Sequence, residues 1–213
     1  MRRPLACLAV GLAFFIMIGW GAGALWTSIV GSGDLEFVQE VARQRSTELT
    51  AVAKGVTWAG SAFLLVPLAL VCCVVLVRAG LRWEAVAVAV SLGGAMLISD
   101  VVKLLVSRPR PPVEHLQAVT SSSFPSGHAT QASAFWLSLV LAAHAARATP
   151  LLTRLLTLAA VLLVAAVAAS RVYLGVHYPS DVIAGVLLGT GWAVYVVRCV
   201  RDATVGRPRQ VAR

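Results

Sequence analysis

Long uncharged stretches alternate with short polar joints along this chain. Six apolar runs stand out, over Leu5–Val30, Val56–Val77, Ala85–Val106, Ala129–Ala146, Leu155–Ala169 and Val182–Val197. Ala, Val and Leu follow one another in them without period-two alternation, which favours helices over a membrane barrel. Several runs approach or exceed the roughly 18–20 residues that carry a helix across a bilayer. The fifth and sixth are short unless they continue into the flanking sequence. The pattern predicts an all-α integral membrane bundle of six transmembrane helices, a single domain over residues 1–213. Between the first two runs, segment 31–55 mixes Asp34, Glu36, Glu40 and Glu48 with Leu35, Val38, Val41, Leu49 and Val52. An interfacial amphipathic helix or a solvated loop is expected there.

Composition agrees with the pattern. Hydrophobic residues make up 59% of the chain and charged residues 13%, against about 25% charged in ordinary soluble domains. A net charge of +9 points to nucleic acid in a soluble protein, but membrane proteins concentrate Lys and Arg in cytoplasmic loops. No nucleic-acid partner is expected, and no obligatory protein partner is evident. Arg2, Arg3, Arg78, Arg82, Arg147, Arg154, Arg198, Arg201, Arg207, Arg209 and Arg213 all fall on one side of the six-span frame. The other side holds Arg43, Arg45, Lys54, Lys103, Arg108, Arg110 and Arg171. The imbalance predicts both termini in the cytoplasm. The N-terminal arginines, apolar run and Ala22-Gly23-Ala24 also fit a cleaved signal peptide. Because the apolar run continues to Val30, a retained span is expected. Cys7, Cys72, Cys73 and Cys199 lie in or beside apolar runs without metal spacing and read as packing residues. Trp58 and Trp83 read as interfacial anchors.

Ionisable residues beside the spans form three clusters. The third span ends in SDVVKLLVSRPRPP, the fourth begins at SSSFPSGHAT, and SRVYLGVHYPSD joins the fifth to the sixth. The charge asymmetry puts all three at the extracytoplasmic surface, away from the bilayer centre where an ionised group costs about 2.5–3.5 kcal/mol or more. Lys103, Arg110 and Arg171 offer positive potential and fixed donors suited to phosphate oxygens. Ser126 and Gly127 mark a helix start, where a capping hydroxyl and free amides favour an anion. Asp181 is the one acid among these motif residues, so no metal and no cofactor are expected. His177 precedes Asp181 by four residues, with Pro179 suited to a first helical turn. Asp181 can orient the imidazole so that its other nitrogen attacks phosphorus, and His128 can protonate the departing oxygen. Asp100 sits one turn before Lys103 and reads as its support. Arg108 reads equally as a phosphate ligand or a headgroup anchor, and Ser170 as structural. Ser121, Ser122 and Ser123 read as loop residues. His115 and His144 fall outside the clusters and receive no role.

K-x6-RP from Lys103 to Pro111, PSGH from Pro125 to His128 and SR-x5-H-x3-D from Ser170 to Asp181 resemble the three signatures of the type-2 phosphatidic acid phosphatase superfamily. They occur in the family's order, separated by 13 and 41 residues. The resemblance implies that His177 is the nucleophile, Asp181 its partner and His128 the acid for the leaving group. Lys103, Arg110, Ser126, Gly127 and Arg171 would then hold the phosphoryl oxygens. It further implies a lipid-phosphate substrate, surrounding membrane lipids as the only other partners, and hydrolysis through a phosphohistidine. Small members of the family often recycle undecaprenyl diphosphate, which is the expected substrate; phosphatidate and phosphatidylglycerol phosphate are the alternatives. A transporter or a non-catalytic lipid-phosphate binder is the reading of another class, and it predicts no phosphate release.

Overall fold

A computed structural model describes residues 2–29 and 31–205, with side chains from 5 to 25 and from 33 to 203. Val30 and the arginines at 207, 209 and 213 lie outside the described residues. The described residues form eight α-helices: α1 Arg2–Ile29, α2 Gly31–Arg43, α3 Thr47–Val56, α4 Ala62–Arg78, α5 Arg82–Val106, α6 Gly127–Ala145, α7 Pro150–Tyr173 and α8 Pro179–Val205. A single 3₁₀ turn, Thr57–Gly60, joins α3 to α4.

Local chemistry sets the starts. Ser46 caps α3 by accepting from the Leu49 amide at 3.2 Å, and Ser61 caps α4 by accepting from Phe63. Thr149 caps α7 ahead of Pro150, whose missing N–H costs nothing in the first turn. Pro179 opens α8 in the same way. The fifth and sixth predicted spans do continue into their flanks, to 24 and 27 residues.

Among the described residues four helices are long and apolar enough to cross a membrane: Leu5–Leu25, Arg82–Val106, Pro150–Tyr173 and Pro179–Ala203. A fifth crossing arises if Thr47–Gly60 and Ala62–Arg78, bent by 44°, act as one broken span. The helix of the fourth predicted span, α6, is not among them. It carries Thr130, Gln131, Ser133 and Ser138 and packs against α4, α5, α7 and α8, so little of its surface faces outward. Half of the apolar windows of α5 and α8 are buried, against 11% for α1 and 6% for α7. The outer helices instead expose Leu5, Val10, Leu151, Leu158 and Leu162, which in a chain of this composition face lipid.

The core is built around α6 and α8. Ile98, Val102, Phe124, Trp192 and Val196 form one buried cluster, and Leu65, Val88, Leu92 and Phe135 another. Gly189 lets α8 approach α6 closely: a Cβ there would lie 2.2 Å from both the Thr130 carbonyl oxygen and Ser133 Oγ. Segment 31–55 is not one interfacial helix. It forms α2 and α3, and α2 turns Asp34 and Val38 inward, one turn apart. The cysteines at 7 and 199 are not packing residues. They form a disulfide between α1 and α8 across 192 residues of sequence. Trp58 is exposed, whereas Trp83 packs partly into the first cluster beneath Arg82.

Candidate active site

The close α6–α8 contact brings the three charged clusters to one end of the molecule. The Ser126 amide donates to the Asp181 carbonyl at 3.0 Å, tying the start of α6 to that of α8. The Ser123 amide donates to the Arg108 carbonyl at 2.8 Å, and the Ser122 hydroxyl to the Lys103 carbonyl at 2.8 Å. These bonds fold the α5–α6 connection back over the end of α5. Arg110 Nη1 donates to the Val176 carbonyl, joining that connection to the α7–α8 turn.

The three cations come from different segments: Lys103 from α5, Arg110 from the α5–α6 connection and Arg171 from α7. Lys103 Nζ lies 3.3 Å from Ser121 Oγ and 3.3 Å from where a Cβ on Gly127 would stand. Any side chain at 127 would therefore crowd the lysine head. Arg110 Nε donates to the Ser121 carbonyl at 2.8 Å, fixing its plane. Arg171 is 2% exposed; its Nη1 donates to Thr57 Oγ1 at 2.8 Å and Gln117 Oε1 at 2.5 Å. Its Nε and Ser126 Oγ are buried and have no hydrogen-bond partner within the protein. Ser126 holds the N-cap position of α6, but its side chain does not cap the helix.

His177 and Asp181 are buried together, at 2% and 0% exposure. Nδ1 is buried without a hydrogen-bond partner and lies 3.5 Å from Asp181 Oδ2. Nε2 faces the other way, 3.4 Å from Arg110 Nη1. Burial pushes the His177 ring down to about 4; Asp181 opposes the shift, and the Arg171 and Arg110 charges add to it. The ring is therefore neutral near pH 7. Burial also lowers Arg110 from its ordinary value, against the pull of Asp181. His128 stands in the first turn of α6, within electrostatic reach of Arg171, His177, Lys103 and Arg110. Its Cβ and carbonyl oxygen back onto Gly60.

The structure also places the remaining residues named from the sequence. Arg108 is 6% exposed and bonded within the protein, to Asp181 at 2.7 Å and Asp34 at 3.0 Å. Between Lys103 and Arg108 α5 ends, and Ser107 adopts a left-handed conformation (φ 50°), so the lysine lies on the helix and the arginine beyond it. Asp100 is exposed and acts on Lys103 electrostatically, with no ion pair between them. Ser123, read as a loop residue, donates its hydroxyl to Asp181 Oδ2. Ser170 donates to the Val167 carbonyl at 2.7 Å, within its own helix. His115 bonds the Pro111 carbonyl at 2.9 Å. Sequence reading missed Thr57 and Gln117, which clamp Arg171, and the buried Asp34. The one available signal for Asp34 was its spacing of four residues from Val38, which puts both on one helical face. Among the described residues no group of three or more His, Cys, Asp or Glu side chains gathers closely enough to hold a metal ion.

A family model described as the PAP2 superfamily matches residues 84–204, which contain all three motifs. The chain belongs to the PAP2 superfamily. It is thus a phosphoric ester hydrolase of a family of membrane lipid phosphatases. It is 30% identical over 184 residues to phosphatidylglycerophosphatase B of Bacillus subtilis, covering 83% of this chain and 86% of the relative. It is 42% identical over 123 residues to a decaprenylphosphoryl-5-phosphoribose phosphatase of Mycobacterium tuberculosis, covering 56% and 59%. The crystal structure of a transmembrane PAP2-type phosphatidylglycerolphosphate phosphatase from Bacillus subtilis aligns over 99% of this chain and 100% of its own, with a TM-score of 0.75 and 28% identity. Aquifex aeolicus LpxE shares the fold at a TM-score of 0.56, 22% identity, and 77% and 94% coverage. Together with the apolar helices, the neighbouring structure marks this PAP2 protein as a multi-pass membrane protein. Asp34 and Thr57 both precede the stretch that defines the superfamily.

Proposed function

We propose that this PAP2 enzyme removes phosphate from a membrane lipid without a metal ion, through a phosphohistidine on His177. The observation that carries this reading is the two-sided setting of the His177 ring, with Nδ1 toward Asp181 and Nε2 toward Arg110. A neutral ring leaves the Nε2 lone pair free to attack phosphorus. Asp181 faces Nδ1 at 3.5 Å and stabilises the imidazolium that forms as the bond to phosphorus is made. The bond from phosphorus to the lipid oxygen breaks, and His128 gives that oxygen its proton. Water then attacks phosphorus and loses a proton to His128. The P–N bond breaks, releasing inorganic phosphate and a neutral His177. Lys103, Arg110 and Arg171 balance the phosphate charge through both steps. Ser126 Oγ and Arg171 Nε, both buried and unbonded, are suited to its oxygens.

The tail has a suitable path. An apolar groove of about 430 Å³ runs between α6, α7 and α8, lined by Val161, Val164, Ala168, Val182, Ile183 and Leu187 among others. Ala168 and Val182 adjoin Ser170–Arg171 and Asp181 in sequence. An amphipathic substrate would thus place its phosphate among the cations and its tail against lipid-facing helices. Undecaprenyl diphosphate, the substrate first expected, has no advantage over phosphatidylglycerol phosphate or a polyprenyl-linked sugar phosphate. The names of the two curated relatives favour these last two. The chain would cross the membrane six times, with both termini cytoplasmic and the site at the extracytoplasmic face, as the arginine distribution suggests.

The test is phosphate release in detergent with EDTA from phosphatidylglycerol phosphate, phosphatidate and undecaprenyl diphosphate in parallel, with His177→Ala as control. Release from at least one lipid, lost in the variant, supports the reading. Release that requires added magnesium, or that survives His177→Ala, contradicts it.

A further inference from the structure

The first 83 residues lie outside the stretch that defines the superfamily, yet they place a carboxylate against the candidate site. Asp34 is 5% exposed. It accepts from the Ser180 amide at 3.2 Å and from the Ser180 hydroxyl, and its Oδ2 lies 3.0 Å from Arg108 Nη2. The same guanidinium gives Nη1 to Asp181 Oδ1 at 2.7 Å and to Ser180 Oγ at 2.7 Å. Its plane is held from a third side, with Cζ 4.1 Å from the centre of the Tyr178 ring. Asp181 turns its other oxygen toward His177 Nδ1. A line of buried charges therefore runs from Asp34 through Arg108 and Asp181 to His177.

The order of signs has consequences. Arg108 and Asp181 alone would form a neutral pair, and a neutral pair does little for a cation developing on the neighbouring imidazole. Asp34 returns the group of three to a net charge of −1. It also keeps Arg108 from swinging, because a guanidinium that forks between two carboxylates loses one of them when it moves. Docking of α2 does not by itself need this ion pair. Val38 is fully buried with Val172, Tyr178 and Val182 in an apolar cluster that already seats the helix.

We propose that Asp34 and Arg108 are positioning residues of the active site: Asp34 locks Arg108, Arg108 locks Asp181, and their summed negative charge stabilises the imidazolium that His177 becomes during attack. The inference rests on His177 being the nucleophile. Other charged or titratable groups facing His177 are Arg110 from the α5–α6 connection, Arg171 from α7 and His128 from α6. Lys103 of α5 acts on Asp181. None of these is changed in the test.

The test compares the full-length protein in detergent with Asp34→Asn, Arg108→Gln and the double variant. The His177 ring is titrated by NMR, its signal assigned by loss in His177→Ala, and kcat and KM are measured on one lipid phosphate. Removing the Asp34 charge should lower the His177 pKa, and removing the Arg108 charge should raise it. The double variant, again at net −1, should titrate near the wild type. Each single variant should lose about tenfold to a hundredfold in kcat, the scale on which outer partners of a histidine act, with KM nearly unchanged. Shifts of the same sign, or none in folded variants, would reduce the pair to a structural bridge and overturn the proposal. If the single variants do not fold, the double variant decides: its net charge is restored but Asp181 is no longer locked, so kcat should still fall about tenfold, and wild-type kcat there overturns the proposal. Turnover surviving in His177→Ala would instead remove the nucleophile reading, while the ring titration would still report on the charge line.

Discussion

His177 differs from an ordinary surface histidine in what lies on each side of its ring. Its buried position and the cations beside it keep the ring neutral down to about pH 4. Since protonation consumes the attacking lone pair, activity should fall with acid only as pH approaches that value. The acid limb of kcat/KM is therefore expected well below 6.5, the unperturbed histidine value; a limb at 6.5 would contradict the buried setting. Replacing Arg171 by Lys should cost about 10²-fold in kcat/KM. Lysine keeps the charge but loses the planar fork that Thr57 and Gln117 clamp, and near-normal kinetics would show that the clamp is dispensable. At this scale the sequence was informative where chemistry is local. Lys103, Arg110, His128, Arg171, His177 and Asp181 announce themselves by type and spacing. The contact of Arg108 with Asp34, 74 residues away, was not legible, because nothing near Arg108 in the chain hints at Asp34.

Among the elements, α6 and α8 determine whether the site assembles at all. Their backbones meet at Gly189, where added bulk would strike the Thr130 carbonyl, a backbone atom that cannot rotate aside. Gly189→Leu should destabilise the fold by about 3 kcal/mol or more and lower the thermal midpoint in detergent; an unchanged midpoint would mean the helices separate freely. The groove beside this contact invites a different test. Ile183 lines it and is 50% exposed, so Ile183→Trp should fill the groove with little harm to the core. KM for a long-tailed lipid phosphate should rise about tenfold while a short soluble phosphate ester is processed as before. Equal effects on both would remove the groove from the substrate's path. Helix existence was legible from the apolar runs, and helix extent was less so. The runs at 155–169 and 182–197 stop at polar residues that the helices pass through, because Arg171 and Asp181 are satisfied by neighbours that only the folded chain provides.

For the whole molecule, side and charge are the open quantities. The arginine asymmetry puts the charged clusters outside, so a reporter fused after Glu114 should respond as extracytoplasmic; a cytoplasmic response would invert the proposed topology. The membrane character of the chain was legible from composition alone. The pairing of Cys7 with Cys199 was not, since the two residues stand 192 positions apart and meet only because α1 packs beside α8. The proposed chemistry requires a bond between phosphorus and His177. The most direct measurement is rapid acid-free quenching of the enzyme with a lipid carrying labelled phosphate, followed by mapping of the labelled peptide. Acid-labile, base-stable label on the peptide containing His177, absent in His177→Ala and accumulating when His128→Ala slows turnover, is the predicted result. Phosphate release at full rate with no protein-bound label at any time point, or label on another residue, would contradict the account.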